Sequence, residues 1–95
     1  MLKELDPLLH SQLRLAIVSA LMTAEEAEFT WLQAQTGATA GNLSVQLNKL
    51  KDAGYIEIKK SFRGNYPQTL CSMTKLGKEK FKAYVDALKE YLNYK

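Results

Sequence analysis

The sequence predicts a mainly α fold carrying one β-hairpin, an α+β arrangement of a three-helix core, a hairpin and a long closing helix. Three observations predict it. Apolar residues recur at helical spacing before residue 54 and again after residue 74. Between them, YIEIKKSF at 55–62 alternates with the two-residue period of a strand. RGNYP at 63–67 is dense in turn formers and leads into QTLCSMT at 68–74, which supplies a returning strand. No repeat or low-complexity linker interrupts the chain, so 1–95 reads as one domain. Its expected parts are a two-helix unit at about 30–54, the hairpin at about 55–73 and the last helix at about 74–93.

Asp6 or Pro7 is expected to begin the first helix, because proline fits a helix start. Leu9, Leu13, Ala16, Ile17, Ala20 and Leu21 then form a wide apolar stripe that ends near Met22 or Thr23. The acidic AEEAE at 24–28 reads as a connecting turn, with or without a helical tail. Thr30 is expected to cap a short helix through Gln35, stopped by Gly37. Trp31 is either a core residue or a partly exposed anchor.

Thr39 caps the next helix, and Gly54 supplies the left-handed turn that ends it. Leu43, Leu47 and Leu50 fall at i, i+4 and i+7 and make a narrow buried stripe, shared with Phe29 and Leu32. Gly41, Asn42, Val45, Lys49 and Asp52 lie on the far side, with Gln46 and Asn48 on the flanks. That outer face is small and hydrogen-bonding, which suits either a DNA major groove or ordinary solvent. Two short helices around a tight glycine turn form a helix-turn-helix pattern. Beyond the hairpin, Thr74 caps the last helix, whose stripe is Phe81, Tyr84, Val85, Leu88, Tyr91 and Leu92.

Composition restricts the function. An apolar content of 46% with 24% charged residues describes a globular chain, and no apolar run is long enough for a membrane span. The N-terminal MLKELDPLLH lacks the features of a secretory signal, so a cytoplasmic location is expected. One cysteine, Cys71, and one histidine, His10, make a poor metal-ligand set; no metal and no cofactor is assigned. Cys71 reads as a small buried apolar group. With no nucleophile–base pair, no paired carboxylates and no phosphate-cradling glycine loop, the chain does not read as an enzyme. The formal net charge is only +3, yet residues 59–82 carry seven basic groups opposed by Glu79 alone, a local net of +6. Such a stretch suits a phosphate backbone or a solvated face.

Over roughly residues 5–92 the chain resembles the compact winged helix-turn-helix transcriptional regulators of the MarR-like and ArsR-like group. The matching stretches are HSQLRLAIVSAL at 10–21, FTWLQAQTGATAGNLSVQLNKLKDAGYIEIKKSF at 29–62 and MTKLGKEKF at 73–81. Gly41, Asn42, Leu43 and Ser44 match the family pattern at the start of the recognition helix. The resemblance implies a homodimer that binds a pseudo-palindromic duplex operator. The recognition helix would enter the major groove, and the hairpin, or wing, would approach the backbone or minor groove. By position, the helix contacts would be Thr39, Gly41, Asn42, Val45, Gln46 and Lys49, with Thr39 and Ser44 serving alternatively as a cap and a packing hydroxyl. The wing contacts would be Lys59, Lys60, Arg63 and Asn65.

The outer helix face has no arginine, the side chain best suited to guanine, so Asn42, Gln46 and Asn48 would favour adenine edges. The apolar face of the last helix, Tyr84, Leu88, Tyr91 and Leu92, together with Leu5 and Leu9, would form the dimer interface. The alternative is closure of these residues over the monomer's own core. A winged helix used only for protein–protein contact, without DNA binding, is the alternative function, since fold alone does not fix activity. No effector ligand is assigned.

Overall fold

A computed structural model describes residues 2–93. Its elements are α1 (Gln12–Met22), β1 (Ala27–Glu28), α2 (Phe29–Thr36), α3 (Ala40–Asp52), β2 (Ile56–Arg63), β3 (Tyr66–Met73) and α4 (Lys75–Leu92). The predicted mainly α, hairpin-bearing class holds, with one addition. The hairpin is part of a three-stranded antiparallel sheet of order β1-β3-β2. Ala27 pairs with Cys71 and Glu28 with Leu70, so the acidic stretch read as a plain turn contributes the third strand.

The start of the chain also differs from expectation. Asp6 caps a single isolated turn: its Oδ1 accepts from Leu8 N (2.9 Å), and its carbonyl accepts from His10 N (2.8 Å). Ser11 then takes an extended conformation (φ −150, ψ 129), and the helix begins only at Gln12. Leu9 is fully buried but reaches the core from that turn. The stripe accordingly rotates: α1 buries Ile17, Val18 and Leu21, while Ala16 is exposed. At α2, Thr30 lies inside the helix. Glu28 occupies the capping position without a side-chain cap bond, because the strand geometry of β1 feeds directly into the first turn.

The helix-turn-helix follows its local chemistry closely. Gly37 ends α2 with φ 70, and Gly54 follows α3 with φ 81; both backbones sit where a Cβ is disfavoured. Thr39 Oγ1 accepts from Asn42 N (3.2 Å), capping α3 as expected. Leu43, Leu47 and Leu50 are 0%, 2% and 0% exposed and meet Leu32, Ile17 and Leu21 in one core. Burying each such side chain contributes about 1.5–3 kcal/mol, which fixes the roll of α3 about its axis.

The wing turn is tighter than the sequence suggested. Arg63 pairs with Tyr66, leaving Gly64 and Asn65 as a two-residue loop, and Pro67 lies inside β3 opposite Phe62. Proline is tolerated there because β1 pairs with β3 only at Leu70 and Cys71, so the strand has an open edge at Pro67.

α4 returns across the base of the wing. Thr74 N donates to Tyr55 O (3.0 Å) and Thr74 Oγ1 to Gly54 O (2.6 Å), while Gly77 N donates back to Thr74 Oγ1 (3.0 Å). One threonine therefore caps α4 and ties it to the end of α3. Tyr55 OH donates to Asp6 Oδ2 (2.6 Å), pinning the N-terminal turn on the same junction.

Candidate nucleic-acid interface

With three leucines turned inward, α3 exposes Thr39, Gly41, Asn42, Ser44, Val45, Asn48 and Lys49. Val45 is 51% exposed, and a Cβ added at Gly41 would meet no atom within 4 Å. The outer face of α3 is therefore open to solvent around Gly41 and Val45. Of the helix residues expected to touch DNA, only Gln46 is half-buried. Its Nε2 donates to Asn42 Oδ1 (3.0 Å), and its Oε1 accepts from Arg14 Nη1 (2.6 Å).

Beside α3 runs a groove whose far wall is the wing. Phe29, Leu47 and Ile58 form its floor, and Ser44, Asn48, Lys51, Lys60 and Thr69 its rim. Lys60 thus stands across from α3, with Nζ 3.5 Å from Thr69 Oγ1.

Strand alternation separates the other wing cations from this groove. Ala27, Cys71 and Ile58 share a register line and turn toward the core, whereas Glu28, Leu70 and Lys59 share the next line on the opposite face. Lys59 pairs there with Glu26 (3.5 Å), and Arg63 with Glu28 (3.8 Å). These ion pairs are exposed, a setting in which such contacts contribute about 0–1 kcal/mol, so either cation is free to exchange its carboxylate for another anion. Asn65 lies exposed in the wing turn, flanked by Phe62 and Tyr66 at 72% and 79% exposure.

The basic window of 59–82 does not form one patch. Lys59, Lys60 and Arg63 belong to the wing, while Lys75, Lys78, Lys80 and Lys82 belong to α4. Lys78 and Lys82 line a groove with Met22, Phe81 and Val85, and Lys80 lines another with Asp6 and Tyr55. Lys49 and Lys51 lie on α3, Lys60 lines the groove beside it, and Arg14 reaches Gln46 from α1. Lys51 and the Arg14 contact were missed from sequence. Lys51 sits beside the leucine stripe on a helical wheel, and Arg14 is 32 residues from Gln46, with no local pattern joining them.

The residues expected at a dimer interface divide in the same way. Leu9 and Tyr84 are 0% and 4% exposed within the monomer core, and His10 Nδ1 lies 3.0 Å from Tyr84 OH. They offer no surface to a second copy, because the chain's own N-terminal turn covers that part of α4. Leu5 and Leu88 are half-buried against the core. Tyr91 is 40% exposed and donates its OH to Lys3 O (2.8 Å), and Leu92 is 76% exposed. Trp31, unplaced from sequence, is 42% exposed and packs beside Ala24 and Ala27.

Two groups have displaced acidities. Burial pushes the Cys71 thiol up to about 11, which keeps it neutral and unreactive at physiological pH. Burial, followed by the hydrogen bond and charge of Asp6, raises Tyr55 to about 12. Among the described residues no cluster of His, Cys, Asp and Glu could hold a metal ion, and no helix is long and apolar enough to cross a membrane.

Comparison with known proteins adds to this geometry. A family model described as a winged helix DNA-binding domain matches residues 13–92. An uncharacterised protein of Methanocaldococcus jannaschii is 34% identical over 76 residues, covering 80% of this chain and 83% of that protein. Among solved structures, a transcriptional regulator homologue from Pyrococcus horikoshii superposes with a TM-score of 0.85 at 27% identity, covering 90% of this chain and 85% of that one. A mutant of Escherichia coli MarR complexed with operator DNA superposes with a TM-score of 0.74 at 16% identity, over 87% of this chain and 57% of the MarR chain.

Proposed function

The chain belongs to the winged helix DNA-binding domain family, and we propose that it is a cytoplasmic transcriptional regulator that binds a duplex operator sequence-specifically as a homodimer. The observation that carries this proposal is the α3 surface: an unobstructed polar face, backed by buried leucines, with Lys49, Lys51 and Lys60 around it. A helix so presented fits a major groove, and its amides and lysines match the groove's acceptors. Lys60 then meets the phosphate backbone across the groove, and Arg63 and Asn65 at the wing tip reach the backbone or adjacent minor groove. The mutant MarR chain complexed with operator DNA shares this fold, which supports the reading.

Pairing of two copies uses the surface that the N-terminal turn leaves open: Leu92, Tyr91 and the groove of Met22, Phe81 and Val85. Binding of such a dimer to a pseudo-palindromic site requires its two α3 helices to lie about 34 Å apart, one turn of DNA.

A comparison of two double variants tests the DNA surface. Lys49→Ala with Lys60→Ala is expected to weaken binding to every duplex and to lower the salt dependence of affinity by about two phosphate equivalents per protomer, about four per dimer. Lys75→Ala with Lys80→Ala removes the same charge from α4, away from the pairing groove, and is expected to change affinity far less. Equal losses from the two pairs would show that net charge alone, not this surface, governs binding.

A further inference from the structure

Arg14 lies on α1, yet it reaches the edge of the proposed base-reading surface. Its Nε donates to Leu8 O (2.6 Å) and its Nη1 to Gln46 Oε1 (2.6 Å), so the guanidinium is held at two points. A guanidinium has donors only, and this decides which end of the Gln46 amide faces it: the oxygen. Gln46 Nε2 is then committed to Asn42 Oδ1 (3.0 Å), which in turn decides the orientation of the Asn42 amide. Each carbonyl oxygen accepts one bond within the protein, which fixes its direction and leaves one lone pair. The second Nε2 hydrogen of Gln46 and both Nδ2 hydrogens of Asn42 have no partner among the described residues.

We propose that Arg14 sets the hydrogen-bond polarity of α3, turning the amide hydrogens of Asn42 and Gln46 outward as a donor-biased surface that selects guanine edges in the major groove. The proposal rests on the DNA-binding function above and reverses the adenine preference expected from the amide side chains alone. Bidentate reading of adenine needs an amide that offers its oxygen to N6 and its nitrogen to N7 together. Oxygens held by Arg14 and by Gln46 are poorly placed for the first of these. Guanine presents two adjacent acceptors, O6 and N7, and asks only for donors. Arg14 is a positioning residue in this scheme: it sends its polarity through Gln46 to Asn42 and touches no DNA.

Selection of bound duplexes from a randomised library, with salt-dependent anisotropy on the winners, tests the relay. Wild-type protein is expected to favour guanine over adenine by about tenfold at the positions under Asn42 and Gln46. Arg14→Met removes the donors, frees both amides to rotate and should reduce that preference to near parity, with affinity for random duplex unchanged. Gln46→Glu guards against a folding defect in the first variant. Its introduced carboxylate still accepts from Arg14 but cannot donate to Asn42, so the Asn42 oxygen turns outward and the preference should move toward bases with an exocyclic amine. An adenine preference in the wild type, or a guanine preference that both variants retain, overturns the relay. A loss on all duplexes with Arg14→Met, accompanied by a salt slope lower by about one per protomer, makes Arg14 a phosphate contact and also overturns it. Absence of any duplex binding by the wild type would instead remove the DNA-binding function itself, and the relay with it.

Discussion

At Gly77 the first turn of α4 runs against the backbone of Tyr55. A Cβ there would fall inside the contact distance of the Tyr55 carbonyl oxygen and 2.8 Å from Met73 Cε. Met73 is a flexible side chain, but the carbonyl is fixed by its bond from Thr74 N. Gly77→Ala gains about 1 kcal/mol of helix propensity, yet the forced backbone shift should outweigh it. A net loss of about 1–3 kcal/mol is expected in chemical denaturation. Tyr55 itself links stability to pH. Its folded-state value is raised from 10.0 to about 12, so the stability it contributes is complete below about pH 10 and is lost as pH rises toward about pH 12. Thermal melts of Tyr55→Phe should lie below wild type at neutral pH, by about 1–2 kcal/mol for the lost bond to Asp6. The two proteins should converge across that alkaline window; a constant gap would assign the loss to packing alone.

Among the elements, the wing is where charge and register matter most. Lys60 faces the α3 groove, while Arg63 faces Glu28 on the other side of the sheet. Removing the competing carboxylate should therefore help DNA binding: Glu28→Gln is expected to raise affinity for random duplex by up to about fivefold, and Arg63→Ala in the same background to abolish the gain. Anisotropy titrations of the two variants check this.

Elements whose causes are local were legible in the sequence. Thr39, Gly54 and Thr74 begin or end helices through bonds within a few residues, and Leu43, Leu47 and Leu50 show the period of α3. The solvent-facing half of the candidate site was legible for the same reason. Elements with distant causes were not. Ala27 and Glu28 become a strand only because β3 is there to pair with, and two residues carry no period. Leu9 and Leu13 have helical spacing, but Ser11 is extended between Leu9 and the start of α1, and nothing in the spacing reveals it. The Arg14–Gln46 bond and the division of the wing cations both depend on tertiary register.

At the scale of the whole molecule, the N-terminal segment and α4 form one unit through His10–Tyr84, Tyr91–Lys3 and the Lys3–Glu90 ion pair at 3.7 Å. What remains of the apolar face of α4 lies at its far end and along the Met22–Phe81–Val85 groove. Sedimentation at micromolar concentration should give twice the mass of one 10.7 kDa chain, and Leu92→Glu with Val85→Lys should return a folded monomer. A wild-type monomer would remove the two-fold operator geometry while leaving single-site binding intact.

The central claim is that α3 and the wing grip duplex DNA, and affinity for a random duplex measured over a series of salt concentrations tests it most directly. Binding through Lys49, Lys51, Lys60 and the wing cations of two copies should make log affinity fall linearly with log salt, by about 0.9 for each phosphate neutralised. A slope near zero, or no binding at low salt, would contradict the claim and assign this winged helix to contacts with other proteins.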